Sequence, residues 1–587
     1  MQDHLEKPDT ASREEPCLVD TGRGFSVSYR NRFLYSKYAP ERAVLSTIDS
    51  FVMLPGSLVL AFSPALWLGL PELLKKLPES SFVLGIETDC LLHEFAENQL
   101  QKLKSSSENP AFSKVAMLPF AENEYLVNIL SGMSKSRCES LPHISTFRRA
   151  LPIDMSAGTQ FDKESYGKIA ALAQNTIASF WKNRITLTKL GRLFSRNIFK
   201  NLPRLPESIP FGSLRGSVSR PIFVFGAGES LETTLKTIPK SLLERCFIIA
   251  VDAAAPALKA HSLKIHAVCA LEGQLAIEKA YIGGSAKESL IIADMCSRER
   301  VTSHTQRAVT YFASKFTDAE FFNGMCKKDF FPPAIPSLGS VGLTAVYVAL
   351  TLRESQNIPV FITGLDFSFS LGRTHAKNTP AHIARLCAMD RLNPAENYAA
   401  AFRMGAKEIK GKNNTSVFTD TALEGYSASF ADFFSGTVNL YDAGEQGLPL
   451  SIQQISSEKL AAYLETLDST AASAIRGQDL HFSETSPKEK AHKIHEIREY
   501  LEKEEKSLNR IKELLMFGKD VASCSCSVEE ELHALIAPRE YLFLHFPDGY
   551  KCTPSDISFL KRVRGQIDFF LKDIKNELKE MDADKRR

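Results

Sequence analysis

Pro221-Ile-Phe-Val-Phe-Gly-Ala-Gly-Glu-Ser-Leu231 leaves the chain little choice of fold around it. Ile222–Phe225 is apolar on both faces, which suits a parallel strand covered on both sides. Gly226 and Gly228 then allow a tight turn with close backbone approach. Ser230 opens the next helix, where unpaired N–H groups and the helix dipole favour an anion. Val360-Phe-Ile-Thr-Gly-Leu-Asp366 repeats the pattern, a buried strand ended by Gly364 and a carboxylate, and Thr374-His-Ala-Lys-Asn-Thr379 follows it. Together the segments predict an α/β nucleotide site with a proton acceptor beside it. A Gly-x-Gly-x-Ser turn falls short of the full dinucleotide fingerprint, and the same glycines serve where two backbones merely pack close.

Such strand–helix units recur along a chain of 587 residues, too long for a single core. The expected division is a flexible tail over 1–31 and an N-terminal Rossmann-like α/β domain over 32–155. A helical connector and linker over 156–212, a central α/β domain with a parallel sheet over 213–455 and a C-terminal helical domain over 456–587 complete it. In the N-terminal domain, strands are expected at Leu58–Phe62 and Phe82–Ile86, with helices over Leu66–Leu77 and Leu91–Leu103. Glu87 and Asp89 stand where a ribose-binding acid would, but Ser63-Pro-Ala lacks the glycines of a nucleotide turn, so a scaffold is the favoured reading. Near the other end, Ser486, Pro487 and Glu489 form a capping box. Ile494, Leu501, Leu508 and Leu515 then recur at heptad spacing, as do Leu560, Ile567, Ile574 and Met581. These stripes predict two helices that pack on each other or on a second copy of the chain.

The formal net charge of +2 gives no reason to expect a nucleic-acid partner. The eleven cysteines show no zinc-site spacing, and Cys524-Ser-Cys526 is their closest pair, a pattern expected of free thiols in the cytoplasm. No metal ligand set is predicted. Met1–Glu15 is too polar for a secretory signal. Phe51–Leu70 is uncharged and long enough to span a bilayer, but Pro55, Gly56, Ser63 and Pro64 interrupt it, so a buried strand is expected and a membrane is not.

Within the central domain, Asp252 ends the strand Phe247–Val251, and Glu272 follows the strand Ile265–Leu271. Both stand where a base or sugar would bind, or where an acid would cap the next helix. Pro336-Ser-Leu-Gly-Ser-Val-Gly342 is a second Ser/Gly loop at a helix start, making Ser337, Gly339 and Ser340 nucleotide-binding candidates together with Gly226, Gly228, Ser230 and Gly364. The loop after Asp366 carries Arg373, His375, Lys377 and Asn378.

These motifs carry a resemblance. Gly-Ala-Gly-x-Ser-Leu, Ser-Leu-Gly-Ser-Val and Thr-Gly-Leu-Asp-Phe followed by Thr-His-Ala are similar to the motility associated factor family of flagellin glycosyltransferases. Leu34-Tyr-Ser-Lys-Tyr-Ala-Pro40 and Asn201-Leu-Pro extend the likeness over most of the chain. More distantly, the central motifs resemble bacterial sialyltransferases, whose His-x-Lys-Asn-Thr stretch is similar to His375–Thr379. The resemblance implies that residues 213–455 are a catalytic nucleotide-sugar domain. It implies inverting, metal-independent transfer of a nonulosonic acid (pseudaminic or legionaminic) from a CMP-activated sugar to Ser or Thr of flagellin, itself free or chaperone-held. No tightly bound cofactor is implied. His375 would be the base, aided by Asp366, with Arg373, Lys377 and Asn378 on the phosphate and leaving group. Two departures stand out: Glu229 replaces a family proline, and Ser368, Phe369 and Ser370 replace the tyrosines that hold the leaving phosphate in sialyltransferases. The central domain is also similar to archaeal pterin pyrophosphokinases. An ATP–magnesium enzyme using Asp252, Glu272 and Asp366, or a flagellin-binding chaperone without activity, therefore remain alternatives.

Overall fold

A computed structural model of the chain describes residues 15–107, 109–121, 126–130, 140–317, 319–467, 486–517, 526–547 and 552–584. Cys524 lies outside these residues, as do residues 1–14 of the expected tail. The protein is a multidomain α/β molecule. Its chain divides into two compact units, Met1–Thr186 and Leu187–Arg587, and the division falls inside one long helix, Lys163–Asn201.

The first unit begins with an antiparallel sheet of β1 (Cys17–Asp20), β2 (Phe25–Tyr29) and β3 (Arg32–Phe33). β1 and β2 were expected to be tail. Val27 and Tyr29 are instead buried in the apolar core of the unit, which is what orders them. A four-stranded parallel sheet follows, in the order β6 (Val115–Met117), β5 (Phe82–Ile86), β4 (Ser57–Phe62) and β7 (Arg149–Asp154). β4 is buried along its whole length, and among the described residues no helix is long and apolar enough to cross a membrane. The helix expected from Leu66 begins only at Leu70. Ser63, Ala65 and Trp67 all take positive φ (46°, 21° and 55°), a conformation no helix accommodates. Asp89 caps the helix Cys90–Ser105 by accepting from the amides of Leu91 and Leu92. Glu87 accepts from the Tyr166 hydroxyl at 2.5 Å and the Thr88 amide at 2.9 Å. Both acids are thus engaged in local structure.

The second unit is built on ten parallel strands. Their order is β14 (Ala334–Ile335), β13 (Ala308–Ser314), β12 (Leu290–Asp294), β11 (Ala267–Ala270), β10 (Phe247–Val251), β9 (Ile222–Phe225), β15 (Val360–Thr363), β18 (Leu440–Asp442) and β19 (Gln453–Gln454), with β8 (Ile209–Pro210) also on β13. From β9 the chain steps outward to β14 on one side, then returns to lay β15, β18 and β19 on the other. The helix Val341–Leu352 packs across β9, β10, β11 and β15. Between β15 and β18 lies an excursion with a hairpin, β16 (Lys407–Lys410) and β17 (Ser416–Thr419). The proline-rich stretch after Asn201, expected as a linker, is a short 3-10 helix, Leu202–Glu207. Its Leu202 and Leu205 are buried in the core of this unit.

The capping box forms as expected: the Ser486 amide donates to Glu489 at 2.9 Å and the Glu489 amide to Ser486 Oγ at 3.3 Å. The helix it starts, Pro487–Phe517, packs against Ile557–Asp584. Ile497, Leu501, Leu508 and Ile511 are fully buried, as are Ile567 and Ile574 opposite. Arg498–Asp582 and Lys512–Asp568 ion pairs flank the seam. The two stripes therefore bury one another within a single chain.

Candidate functional site

β9 and β15 are adjacent and parallel, and the chain leaves them in opposite directions. The carboxyl ends of such a strand pair flank a crevice, the preferred place for a ligand in an open α/β sheet. Two glycines meet there back to back. Gly226 N–H donates to Thr363 O and Gly228 N–H to Gly364 O, each at 2.8 Å. A Cβ on Gly226 would lie 2.3 Å from Gly364 O, and one on Gly364, which also has φ +73°, would lie 2.3 Å from Gly226 O. Close packing of two loops is thus what these glycines satisfy.

The anion position at the start of the helix Ser230–Thr237 is filled from within the protein. Ser230 N–H donates to Asp366 Oδ2 at 2.8 Å, and Ser230 Oγ donates to Asp366 Oδ1. Gly364 N–H donates in turn to Ser230 Oγ. Ser230 is fully buried and Asp366 is 4% exposed. Ser230, expected to meet a phosphate, and Asp366, expected to aid the base, are thus bonded to one another in a buried pair. Burial pushes the Asp366 carboxyl up to about 6, against the bonds from Ser230 that lower it. The amides of Ala227 and Glu229, both partly exposed, make no hydrogen bond among the described residues and are the donors this turn offers to a ligand.

The loop after β15 folds back onto the same turn. Ala376 N–H donates to Ala227 O at 2.9 Å, and Lys377 N–H to Glu232 Oε1 at 2.8 Å. His375 therefore sits one residue from a bond to the glycine turn. The residue is exposed at the rim, with Nδ1 3.1 Å from Thr374 Oγ1, yet enough protein crowds its imidazole for desolvation to lower its pKa. Thr379 then caps the helix Pro380–Cys387. A small cleft of about 140 Å³ opens between these pieces, lined by Glu232, Arg373, His375, Lys377, His382 and Asn397 among others. Sequence reasoning missed His382. Its only signal was a second histidine in the helix that Thr379-Pro380 begins. Arg373 is an ion-pair partner of Glu229 at 3.3 Å, and Ser370 Oγ donates to the same carboxylate. Glu229 thus points at the residue expected to hold the leaving group. Asn378, at φ +63°, contributes its backbone N–H to His382 Nδ1 at 3.2 Å.

The remaining candidates divide. Ser340 caps the helix Val341–Leu352 by accepting from Gly342 N–H, while Ser337 and Gly339 are exposed. A Cβ on Gly342 would lie 2.5 Å from Leu365 Cδ2, so this loop abuts the crevice. Asp252 and Glu272 stand one and two strands away. Glu272 accepts from Gln274 N–H within its own turn. Beside it, Asn197 from the long helix donates to Gly273 O and Cys296 O, covering that end of β11. Asp252 is buried, and its carboxyl is pushed up to about 7, first by burial and then by the Glu272 charge. The folded chain thus holds this proton to higher pH than the unfolded chain does. Stability is favoured below the ordinary carboxylate range and falls as pH rises toward 7. Asp252→Asn should flatten that slope by roughly 1.4 kcal/mol per pH unit between about pH 4 and 7 and leave the variant the more stable form at pH 8. Urea unfolding across pH 5–8 measures this, and an unchanged slope refutes it. A larger open groove of about 490 Å³ surrounds the amino-terminal entry to β18, but no charged side chain lines it.

Three comparisons bear on this arrangement. Residues 196–372, which carry the glycine turn and Asp366 but stop short of His375, match the family described as 6-hydroxymethylpterin diphosphokinase MptE-like. Among solved structures, the MAf glycosyltransferase from Magnetospirillum magneticum AMB-1 is similar at 14% identity and a TM-score of 0.48, over 97% of this chain and 91% of that one. An uncharacterized protein of Treponema pallidum (strain Nichols) is 30% identical over 567 residues. That likeness spans 95% of this chain and 94% of the other, so the chain belongs to the same family as the Treponema pallidum protein.

Proposed function

We propose that the chain is a cytoplasmic glycosyltransferase that moves a nonulosonic acid from a CMP donor to serine or threonine hydroxyls of flagellin. The observation that carries this reading is the placement of His375. An exposed imidazole, its pKa lowered by the protein around it, stands at the rim of a cleft beside the switch point, tied through Ala376 to the glycine turn. When Nδ1–H donates to Thr374 Oγ1, Nε2 keeps its lone pair and accepts the proton of the attacking hydroxyl. The anomeric carbon's bond to phosphate oxygen breaks as its bond to the acceptor oxygen forms, so one base suffices. The motifs shared with flagellin and CMP-sugar transferases supply the donor and acceptor classes. A macromolecular acceptor is further supported by the apolar side chains that the cleft-lining segment exposes, among them Leu371, Met389, Leu392 and Phe402.

The match of residues 196–372 favours a second reading, an ATP–magnesium diphosphokinase. It needs acidic metal ligands, but Asp366 is buried against Ser230 and Glu272 is turned into its own loop. Thermal unfolding of the full chain separates the two. CMP at a hundredfold excess over its Kd and without metal should stabilise the protein by about 2.7 kcal/mol. Stabilisation by ATP–magnesium alone would transfer the argument to the kinase.

A further inference from the structure

We propose that His382 is a substrate-contacting residue, a neutral imidazole whose Nε2–H donates a hydrogen bond to the departing phosphate. The proposal rests on the CMP-donor reading above. A backbone N–H can only donate, so the bond from Asn378 N–H to His382 Nδ1 at 3.2 Å places the ring's lone pair on Nδ1 and its proton on Nε2. The residue is held at its ring and at its backbone. Its backbone N–H is capped by Thr379 Oγ1, while Pro380 fixes the first helical position. His382 lines the same cleft as His375 and Lys377. Two imidazoles therefore line one small space: His382 is fixed as a donor at Nε2, and His375 can take a proton at Nε2 in the tautomer whose Nδ1–H donates to Thr374 Oγ1.

Several side chains near the expected leaving-group position are engaged elsewhere, so His382 adds a donor to the Ala227 and Glu229 amides and the Lys377 ammonium. Arg373 and Ser370 are both turned to Glu229. Ser368 is buried and donates to Asp366 O. As the sugar–phosphate bond breaks, its electron pair leaves with the phosphate oxygen, and the acceptor's proton goes to His375. His382 gives up no proton. It stabilises the charge arriving on phosphate, with the Lys377 ammonium beside it, as preorganised donors do in other group transfers.

Calorimetric titration of the full chain with CMP and with cytidine, which lacks the phosphate, tests this. His382→Phe keeps a ring but has no donor, and it should weaken CMP about tenfold while leaving cytidine within about twofold. His382→Gln, whose amide accepts from Asn378 and donates onward, should restore most of the CMP affinity. Equal CMP affinity in the two variants, or equal weakening of CMP and cytidine in His382→Phe, overturns the proposal. If the unaltered chain binds neither compound, the donor reading itself falls and takes this assignment with it. Matching melting temperatures for all three proteins confirm that folded chains are being compared.

Discussion

His375→Ala is expected to lower transfer by about 10²–10⁴-fold while CMP binding stays within about threefold of the unaltered chain. The separation follows from the geometry. The loop is held to the glycine turn by backbone bonds of Ala376 and Lys377, and these survive loss of the imidazole. The same variant tests the pH profile. A base must be unprotonated, and desolvation lowers the His375 pKa, so transfer by the unaltered chain should rise with pH below the usual imidazole value and be level by neutrality. In His375→Ala that rise should disappear from the residual rate. Residual transfer of a tenth or more with an unchanged profile would place the base elsewhere.

Periodicity reports burial, and burial was what the sequence disclosed well. Strand β5 runs over the five residues expected of it, because Phe-Val-Leu-Gly-Ile is apolar on both faces and bounded by polar turns. The heptad stripes identified two helices that pack together, and the capping box identified the start of the first. What stayed hidden was which partner satisfies a polar group. Asp366 at the end of a strand reads the same whether it faces a ligand or a neighbouring turn, and the Ser230 that settles the matter is 136 residues away. Glu229 is similar: its pairing with Arg373 exists only once the excursion folds back. The turn at Ser63–Trp67 was hidden for another reason, since three non-glycine residues at positive φ have no signature in composition. His382 was legible as a histidine but not as a fixed tautomer, which depends on a single amide.

Lys412→Met should destabilise the second unit by about 3–5 kcal/mol, the cost typical of breaking a buried ion pair from one side. Lys412 is 6% exposed, and its Nζ lies 2.5 Å from Asp442 Oδ2 and 2.8 Å from Gly444 O. Its charge also lowers the pKa of Asp366, whereas Asp442 raises it. Without the ammonium, two buried carboxyls would remain near one another with no cation between them, and each would have to take up a proton or lose its setting. The consequence reaches the site because the pieces are linked. Asp442 Oδ1 accepts from Gly444 N–H, a Cβ on Gly444 would meet Ser230 Oγ at 2.9 Å, and Ser230 is bound to Asp366 at the glycine turn. Asp442→Asn in the same chain removes one orphaned charge, so Lys412→Met/Asp442→Asn should recover part of the loss, with the two changes markedly non-additive. Denaturant unfolding of the single and double variants measures the coupling. A single variant within about 1 kcal/mol of the unaltered chain would mean that the pair behaves as a surface ion pair does. The turn would then owe its position to the facing glycines, the Ser230–Asp366 bonds and the Ala376 N–H rather than to the ion pair.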